Sequence, residues 1–398
     1  MNTYLDSLQP YPFERLAALL ADARPPQGLK PITLTIGEPQ HPSPVEVREA
    51  LCNSMHLLSG YPATRGTADL RSAIADWLQR RYAMPRLDTE HQVLPVSGTR
   101  EALFAIAQTC VAASPGAVVL CPNPFYQIYE GATLLAGAQP VFMNCLADNG
   151  FMPDPDAIDS ETWERCQLLY LCTPGNPSGA VMPMALLQRF IAKAIEHNVV
   201  LVSDECYSEI YGDESSPPPG LLEACVAMGN TEFRSCLSFH SLSKRSNLPG
   251  LRSGFVAGDA SLIKAFTRFR TYHGCAMPLH HQVASAVAWR DEAHVALNRQ
   301  RYREKFARVT EILAPALEVQ VPEAGFYLWP RTPVPDDEFA LRLFAEENVM
   351  VLPGRYLARE SGGINPGDNH VRLALVASLA DCEEAARRIA RLLGRLGC

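Results

Sequence analysis

The segment SLSKRSNLPGLRSG, residues 241–254, places Lys244 three residues after Ser241, one after Ser243 and eight before Arg252 in a glycine-punctuated stretch. A primary amine set among hydroxyls and a second cation is a nucleophile inside an anion site. Desolvation and the neighbouring charge lower its pKa, so the neutral amine can condense with a carbonyl to an imine. Ser241, Ser243 and Arg252 suit a phosphate. In isolation the same string also reads as a solvated loop whose cations face water.

Four further segments bear on that choice. In VVLVSDECY (199–207) an apolar strand ends on Asp204, with Tyr207 three positions on; ligands of open α/β sheets sit at such strand ends. A carboxylate there can keep a pyridine nitrogen protonated, the partnership expected for pyridoxal 5′-phosphate, and the tyrosine can reach the ring's phenolic oxygen. TPGNPSG (173–179) follows another strand and offers Asn176 as a second donor to that oxygen. SGTREAL (97–103) ends a strand and opens a helix, so the amides of Gly98 and Thr99 form a phosphate cradle. PNPFYQIY (122–129) sets Tyr126 after the next strand, where an aromatic can stack on a flat cofactor. Taken singly, these are equally a helix cap, a Pro/Gly turn or a core tyrosine.

The elements that must position these residues follow from hydrophobic period. Apolar, strand-like runs at 92–97, 117–121, 139–145, 167–172, 199–203, 235–241 and 252–257 alternate with helical stretches such as 98–112, 184–196 and 261–272. That alternation predicts an α/β fold with a mostly parallel sheet covered by helices. After Trp289 the texture changes to a long charged helix (292–313), two or three short strands and a terminal helix (379–396), the pattern of a second, smaller domain. Residues 1–45 carry eight prolines and read as an extended arm that must lie on something.

Strand, SGTREAL, NPFY, TPGNPSG, SDECY and SLSKRSNLPGLRSG occur in one order, joined by GYPATRGTADLR (60–71), PEAGFYLWP (322–330) and VRLAL (371–375). The ordered set resembles the fold-type I pyridoxal-phosphate-dependent aminotransferases of class I/II over nearly the whole chain. The resemblance implies a three-layer αβα sheet domain at 46–289, a smaller α+β C-terminal domain at 290–398, and an N-terminal arm at 1–45 packing on the small domain and a neighbouring subunit. It further implies that Lys244 is the imine-forming lysine, that Asp204 pairs the pyridine nitrogen, that Asn176 and Tyr207 contact the ring oxygen, and that Tyr126 stacks on the ring. Gly98, Thr99, Arg100, Ser241, Ser243 and Arg252 are implied to hold the phosphate, with Tyr61 reaching the phosphate of the neighbouring subunit, so the site requires a homodimer. Arg372 is implied to take the substrate α-carboxylate, assisted by the amide of Gly37 in TIGEP.

The chain departs from the common pattern two positions after the lysine, where many relatives carry an aromatic or aliphatic residue and this chain has Ser246, followed by Asn247. SKRSNLPGLRSGFVAGD (243–259) and TYHGCAMPLHHQ (271–282) are similar to the N-succinyldiaminopimelate aminotransferases of bacterial lysine biosynthesis. This implies amino transfer from glutamate to N-succinyl-2-amino-6-oxopimelate, giving 2-oxoglutarate and N-succinyl-LL-diaminopimelate. Such a substrate carries two anions beyond its α-carboxylate. Arg15, Lys30, Arg245, Arg270, His273, Arg331 and Arg355 are the candidate receptors, with Arg245 and His273 preferred. A carbon–sulfur lyase would keep every cofactor contact, and a cofactor-sensing regulator would need a DNA-binding module that the short stretch before TIGEP does not supply.

Composition bounds the rest. At 398 residues and 47% hydrophobic content the chain can bury a large core in two or three domains. A formal charge of -8, from 35 basic and 43 acidic residues without long like-charged blocks, gives no basic surface for nucleic acid. The 12 cysteines are scattered without a CxxC pair and the N-terminus is unlike a leader, so reduced thiols in a cytoplasm are expected. No HExxH or spaced Cys/His set suggests a metal, and no apolar run reaches the ~18 residues of a membrane span.

Overall fold

The structure, a computed structural model, describes residues 2–397. Its centre is a seven-stranded sheet whose spatial order is Val93–Val96, Gly254–Gly258, Cys236–Ser241, Val200–Asp204, Cys166–Cys172, Val118–Asn123 and Gln139–Asn144. Gly254–Gly258 runs antiparallel to both of its neighbours, and the remaining pairings are parallel. The inner strands read as continuous apolar runs because helices cover both faces. Ala68–Tyr82, Met184–Glu196, Leu221–Ala227 and Leu279–Arg290 build one core layer. Thr99–Cys110, Ile128–Leu135 and Ala260–His273 build the other.

Strand alternation determines which residues meet. In Cys166–Cys172, Leu169 and Leu171 face the first layer while Leu168, Tyr170 and Cys172 face the second. By the same period Asp204 shares the face of Val202, and Ser241 that of Leu237 and Phe239. Both therefore emerge on the side of the helix Thr99–Cys110, at the last residue of their strands.

The remaining elements pack around an antiparallel three-stranded sheet, Leu352–Pro353, Val371–Ala374 and Tyr327–Leu328. The helices Ala293–Leu313, Asp336–Glu347 and Leu379–Leu396 bury Phe306, Leu343 and Ile389 against Leu328 and Leu373 in a core of their own. Ser378 caps the last helix by accepting from the Asp381 amide, and Gly397 at φ +86° ends it in the left-handed region that favours glycine.

The first 45 residues are not wholly extended, contrary to the expectation from their prolines. Thr3–Ser7 forms a 3-10 turn and Pro12–Leu20 an α-helix. Pro12 sits at the first helical position, where its missing N–H costs nothing, and the Glu14 carboxylate accepts from the Tyr11 amide at 3.2 Å. Leu16 on this helix packs with Leu352, Tyr356 and Leu357. Further on, Ile32–Thr33 pairs in parallel with Val349–Met350. Residues 241–254 likewise are not a solvated loop: Leu242–Arg245 is a buried helical turn and Pro249–Leu251 a 3-10 turn.

Candidate active site

Cys172, Asp204 and Ser241, each the last residue of its strand, line one cavity of about 560 Å³. Lys244 enters it from the helical turn that follows Ser241. Its Nζ donates to the Gly37 carbonyl, and burial, with added repulsion from Arg372 and Arg252, lowers its pKa to about 8, against the pull of Cys206 and Glu38.

Asp204 is buried at 6% exposure. The Tyr129 hydroxyl donates to its Oδ2 at 2.7 Å and the Cys206 amide to its Oδ1 at 3.3 Å. Burial raises its pKa while these donors lower it. Among the described residues no cationic side chain forms an ion pair with it, so a buried carboxylate faces the cavity without a cationic partner.

One wall gathers groups that can donate to an anion. Thr99, Ser241, Ser243 and Arg252 line it beside the first turn of the 12-residue helix Thr99–Cys110, whose amides lack helical acceptors. Gly98 precedes that helix at φ +88°, a conformation that favours glycine, and a Cβ there would also push the Arg252 guanidinium aside. Ser241 Oγ accepts from the Ser243 amide at 3.1 Å, which fixes the turn leading into Lys244.

Opposite lies Arg372 on the strand Val371–Ala374. It donates from Nη1 to Asn176 Oδ1 at 2.9 Å and from Nη2 to the Thr35 carbonyl at 2.6 Å, while its buried Nε has no partner. Gly37 approaches so closely that a Cβ would overlap the Tyr327 hydroxyl. The Tyr207 and Tyr327 hydroxyls lie 2.9 Å apart, and Tyr126 lines the same cavity.

The structure thus brings Gly37, Thr99, Arg100, Tyr126, Asn176, Asp204, Tyr207, Ser241, Ser243, Lys244, Arg252 and Arg372 to one cavity, with Gly98 beneath Arg252. Tyr61 does not line its own chain's cavity and is fully exposed. The candidates for the distal anions fare differently, since none of the seven lines the cavity. Arg245 is 1% exposed, paired with Glu292 at 2.6 Å and set over the rings of Trp77 and Trp289. Arg270 is buried against Glu101, and Arg355 is held by Asp336. Lys30 pairs with Asp381, and Arg15 lies over the Tyr356 ring. His273, at the end of the helix Ala260–His273, comes near Glu101 and Cys275 instead, where both Glu101 oxygens are already taken by Arg270 and the Ser97 amide.

Tyr129, Cys206, Tyr327 and Tyr11 are site residues that the sequence reading missed. Cys206 and Tyr327 stand inside motifs that were recognised, SDECY and PEAGFYLWP, and Tyr129 ends PNPFYQIY. Tyr11 carries no such signal, because its place depends on how the arm helix docks.

Residues 30–389 match the model of the family described as aminotransferase class I and II. The chain is 31% identical over 394 residues to an LL-diaminopimelate aminotransferase of Maridesulfovibrio salexigens, covering 98% of each chain. It is similar to the crystal structure of an aminotransferase from Neisseria meningitidis, with TM-score 0.95 and 47% identity over 98% of this chain and 100% of that one. A probable N-succinyldiaminopimelate aminotransferase from Thermus thermophilus superposes with TM-score 0.84 and 26% identity, covering 96% and 99% of the two chains. The chain therefore belongs to the class I and II aminotransferases, a family whose members use pyridoxal 5′-phosphate.

Proposed function

We propose that this aminotransferase moves the amino group of glutamate to N-succinyl-2-amino-6-oxopimelate, forming N-succinyl-LL-diaminopimelate and 2-oxoglutarate in lysine biosynthesis. The observation that carries the chemistry is a pair of groups in one cavity, an amine lowered to about pKa 8 and a buried carboxylate without a cation. The residues fit the cofactor. Its aldehyde suits Lys244, its protonated ring nitrogen supplies the positive partner that Asp204 lacks, and its phosphate matches the wall of Thr99, Ser241, Ser243 and Arg252.

When bound, pyridoxal phosphate supplies an electron sink for the charge left when an α-proton departs. Asp204 would keep the ring nitrogen protonated, and Tyr129, donating to its Oδ2, holds that carboxylate in place. Tyr207 and Asn176, which line the cavity, would donate to the ring oxygen, and Tyr126 would supply an aromatic face for the ring. Arg372 orients the substrate through its α-carboxylate, which satisfies the Nε now without a partner. Once displaced from the aldehyde by the substrate amine, Lys244 Nζ would take the proton from the substrate α-carbon as general base and deliver it, as general acid, to the former aldehyde carbon of the cofactor, a task suited to an amine with a pKa near working pH. Tyr61, exposed on its own chain, would reach the phosphate of the neighbouring subunit in a homodimer.

The succinylated substrate is supported by the two C-terminal-half motifs and by the similarity to the Thermus thermophilus protein. A second reading, transamination of free LL-diaminopimelate, is favoured by the names of relatives such as those of Maridesulfovibrio salexigens and Oleidesulfovibrio alaskensis. A coupled assay with glutamate separates them. The proposal predicts that kcat/KM for the succinylated ketone exceeds that for tetrahydrodipicolinate, the cyclised unsuccinylated ketone, by about 100-fold or more, and the reverse order contradicts it.

A further inference from the structure

We infer that His41 and Asn298 are positioning residues for Lys244, a hydrogen-bonded chain from the arm that fixes the backbone from which the amine reaches the cofactor. The inference rests on the reading of Lys244 as the lysine that carries pyridoxal phosphate. Capture of the aldehyde forms a C=N bond from the Nζ lone pair and expels the aldehyde oxygen as water, so it depends on where the amine is held.

The helical turn that carries Lys244 is short. Leu242–Arg245 ends one residue after the lysine, so among the described residues the carbonyls of Lys244 and Arg245 have no helical donor. Asn298 supplies one from the long helix Ala293–Leu313: its Nδ2 lies 3.2 Å from the Lys244 carbonyl and 3.4 Å from that of Arg245. At 1% exposure, this amide has little water to turn to instead. With two carbonyls at its nitrogen, its oxygen is the acceptor, and the partner is His41 Nδ1 at 2.8 Å. The imidazole proton therefore sits on Nδ1. Burial, with added repulsion from Lys305 and Arg301, lowers the pKa of that ring to about 4 against the pull of the Asn298 bond, so the neutral ring has Nδ1–H as its one donor.

These contacts give the arm two holds on one residue. The Gly37 carbonyl accepts from Nζ, and His41, further along the arm, reaches the Lys244 backbone through Asn298. The first hold is given up when Nζ is taken by the aldehyde; the second is not. The same stretch of arm accepts from Arg372 at the Thr35 carbonyl, 2.6 Å away, so it touches both the amine and the carboxylate receptor. His41 also packs: its ring centre lies 4.7 Å from that of Tyr302, one helical turn beyond Asn298. Donor and ring are thus separable properties of one side chain.

Pyridoxal phosphate and pyridoxamine phosphate share ring and phosphate, and only the aldehyde of the first can be captured by Lys244. The ratio of their dissociation constants for the cofactor-free full chain, from equilibrium titration, reports that capture. His41→Phe keeps the ring and loses the donor, and should lower the preference for pyridoxal phosphate by about fivefold. His41→Asn loses the ring but keeps an N–H near the place of Nδ1, and should return the ratio to within about twofold of wild type. A role in packing alone predicts the opposite order, Phe tolerated and Asn damaging, and that result overturns the inference, as does an unchanged ratio in His41→Phe. Asn298→Leu should lower the ratio by about tenfold, and adding His41→Phe to it should change nothing further, because the two act through one chain; effects that multiply contradict the chain. If Asn298→Leu does not fold, the two His41 variants decide alone. Borohydride reduction and mass spectrometry then locate the captured group. An unmoved ratio with the group on Lys244 refutes the positioning alone, whereas a group on another lysine overturns both the inference and the reading beneath it.

Discussion

Lys244 illustrates how a flexible cation becomes a reagent. Moved out of water and placed with Arg252 and Arg372, it is lowered from 10.5 to about 8, so near neutral pH about a tenth of it is the free amine. Because only the neutral form is nucleophilic, labelling of Lys244 by a small amine-reactive reagent in the cofactor-free chain should rise with pH through a midpoint of about 8. A midpoint near 10.5, read by mass spectrometry across a pH series, would show that the cavity does not perturb it. On the proposed mechanism Lys244→Ala removes both the cofactor's anchor and the proton carrier, so turnover should fall by about 10⁴-fold or more in a glutamate-coupled assay. Asp204→Ala leaves the wall of Thr99, Ser241, Ser243 and Arg252 in place but takes away the proposed partner of the ring nitrogen. It should retain cofactor, seen by absorbance, and lose about 10²–10³-fold in kcat; near-normal turnover would mean that the carboxylate is not the electrostatic partner of the ring.

At the scale of elements, the site depends on strand ends and helix starts. Glycine at position 98 lets the helix Thr99–Cys110 begin against Arg252. Gly98→Ala should weaken cofactor affinity by about tenfold or more, measured by equilibrium titration, since it adds a Cβ at φ +88° and displaces the guanidinium. These elements were legible in the sequence because parallel strands buried on both faces write themselves as apolar runs. The run expected at 199–203 is the strand Val200–Asp204, and the helix expected at 184–196 is Met184–Glu196. The prolines of the arm misled, because a proline at the first turn of a helix and one in an extended segment look alike until the following residues find something to pack on. Arg245 misled for a related reason: sequence position beside Lys244 does not reveal that its side chain turns away, under Trp77 and Trp289, to meet Glu292. Arg245→Ala should accordingly destabilise the fold by about 2–3 kcal/mol, read as a lowered midpoint in denaturant, through lost packing and an unpaired partner.

At the scale of the whole molecule, Lys244 comes from the seven-stranded sheet region, Arg372 from the three-stranded sheet, and Tyr11 and Gly37 from the N-terminal arm, so the cavity exists only when these parts are assembled. Tyr61, exposed and outside its own cavity, extends that dependence to a second copy in the proposed homodimer. Mixing a Tyr61→Ala chain with a Lys244→Ala chain should restore about a quarter of wild-type activity, since half the dimers are mixed and each mixed dimer has one intact site. Activity no greater than the sum of the two separate variants would show that the sites are not shared. What ties residue, element and molecule together is the identity of the amine that carries the cofactor. Reducing the loaded enzyme with borohydride, digesting it and locating the pyridoxyl group by mass spectrometry measures this directly: the group is expected on Lys244, and finding it on another lysine, or on none, would contradict the account.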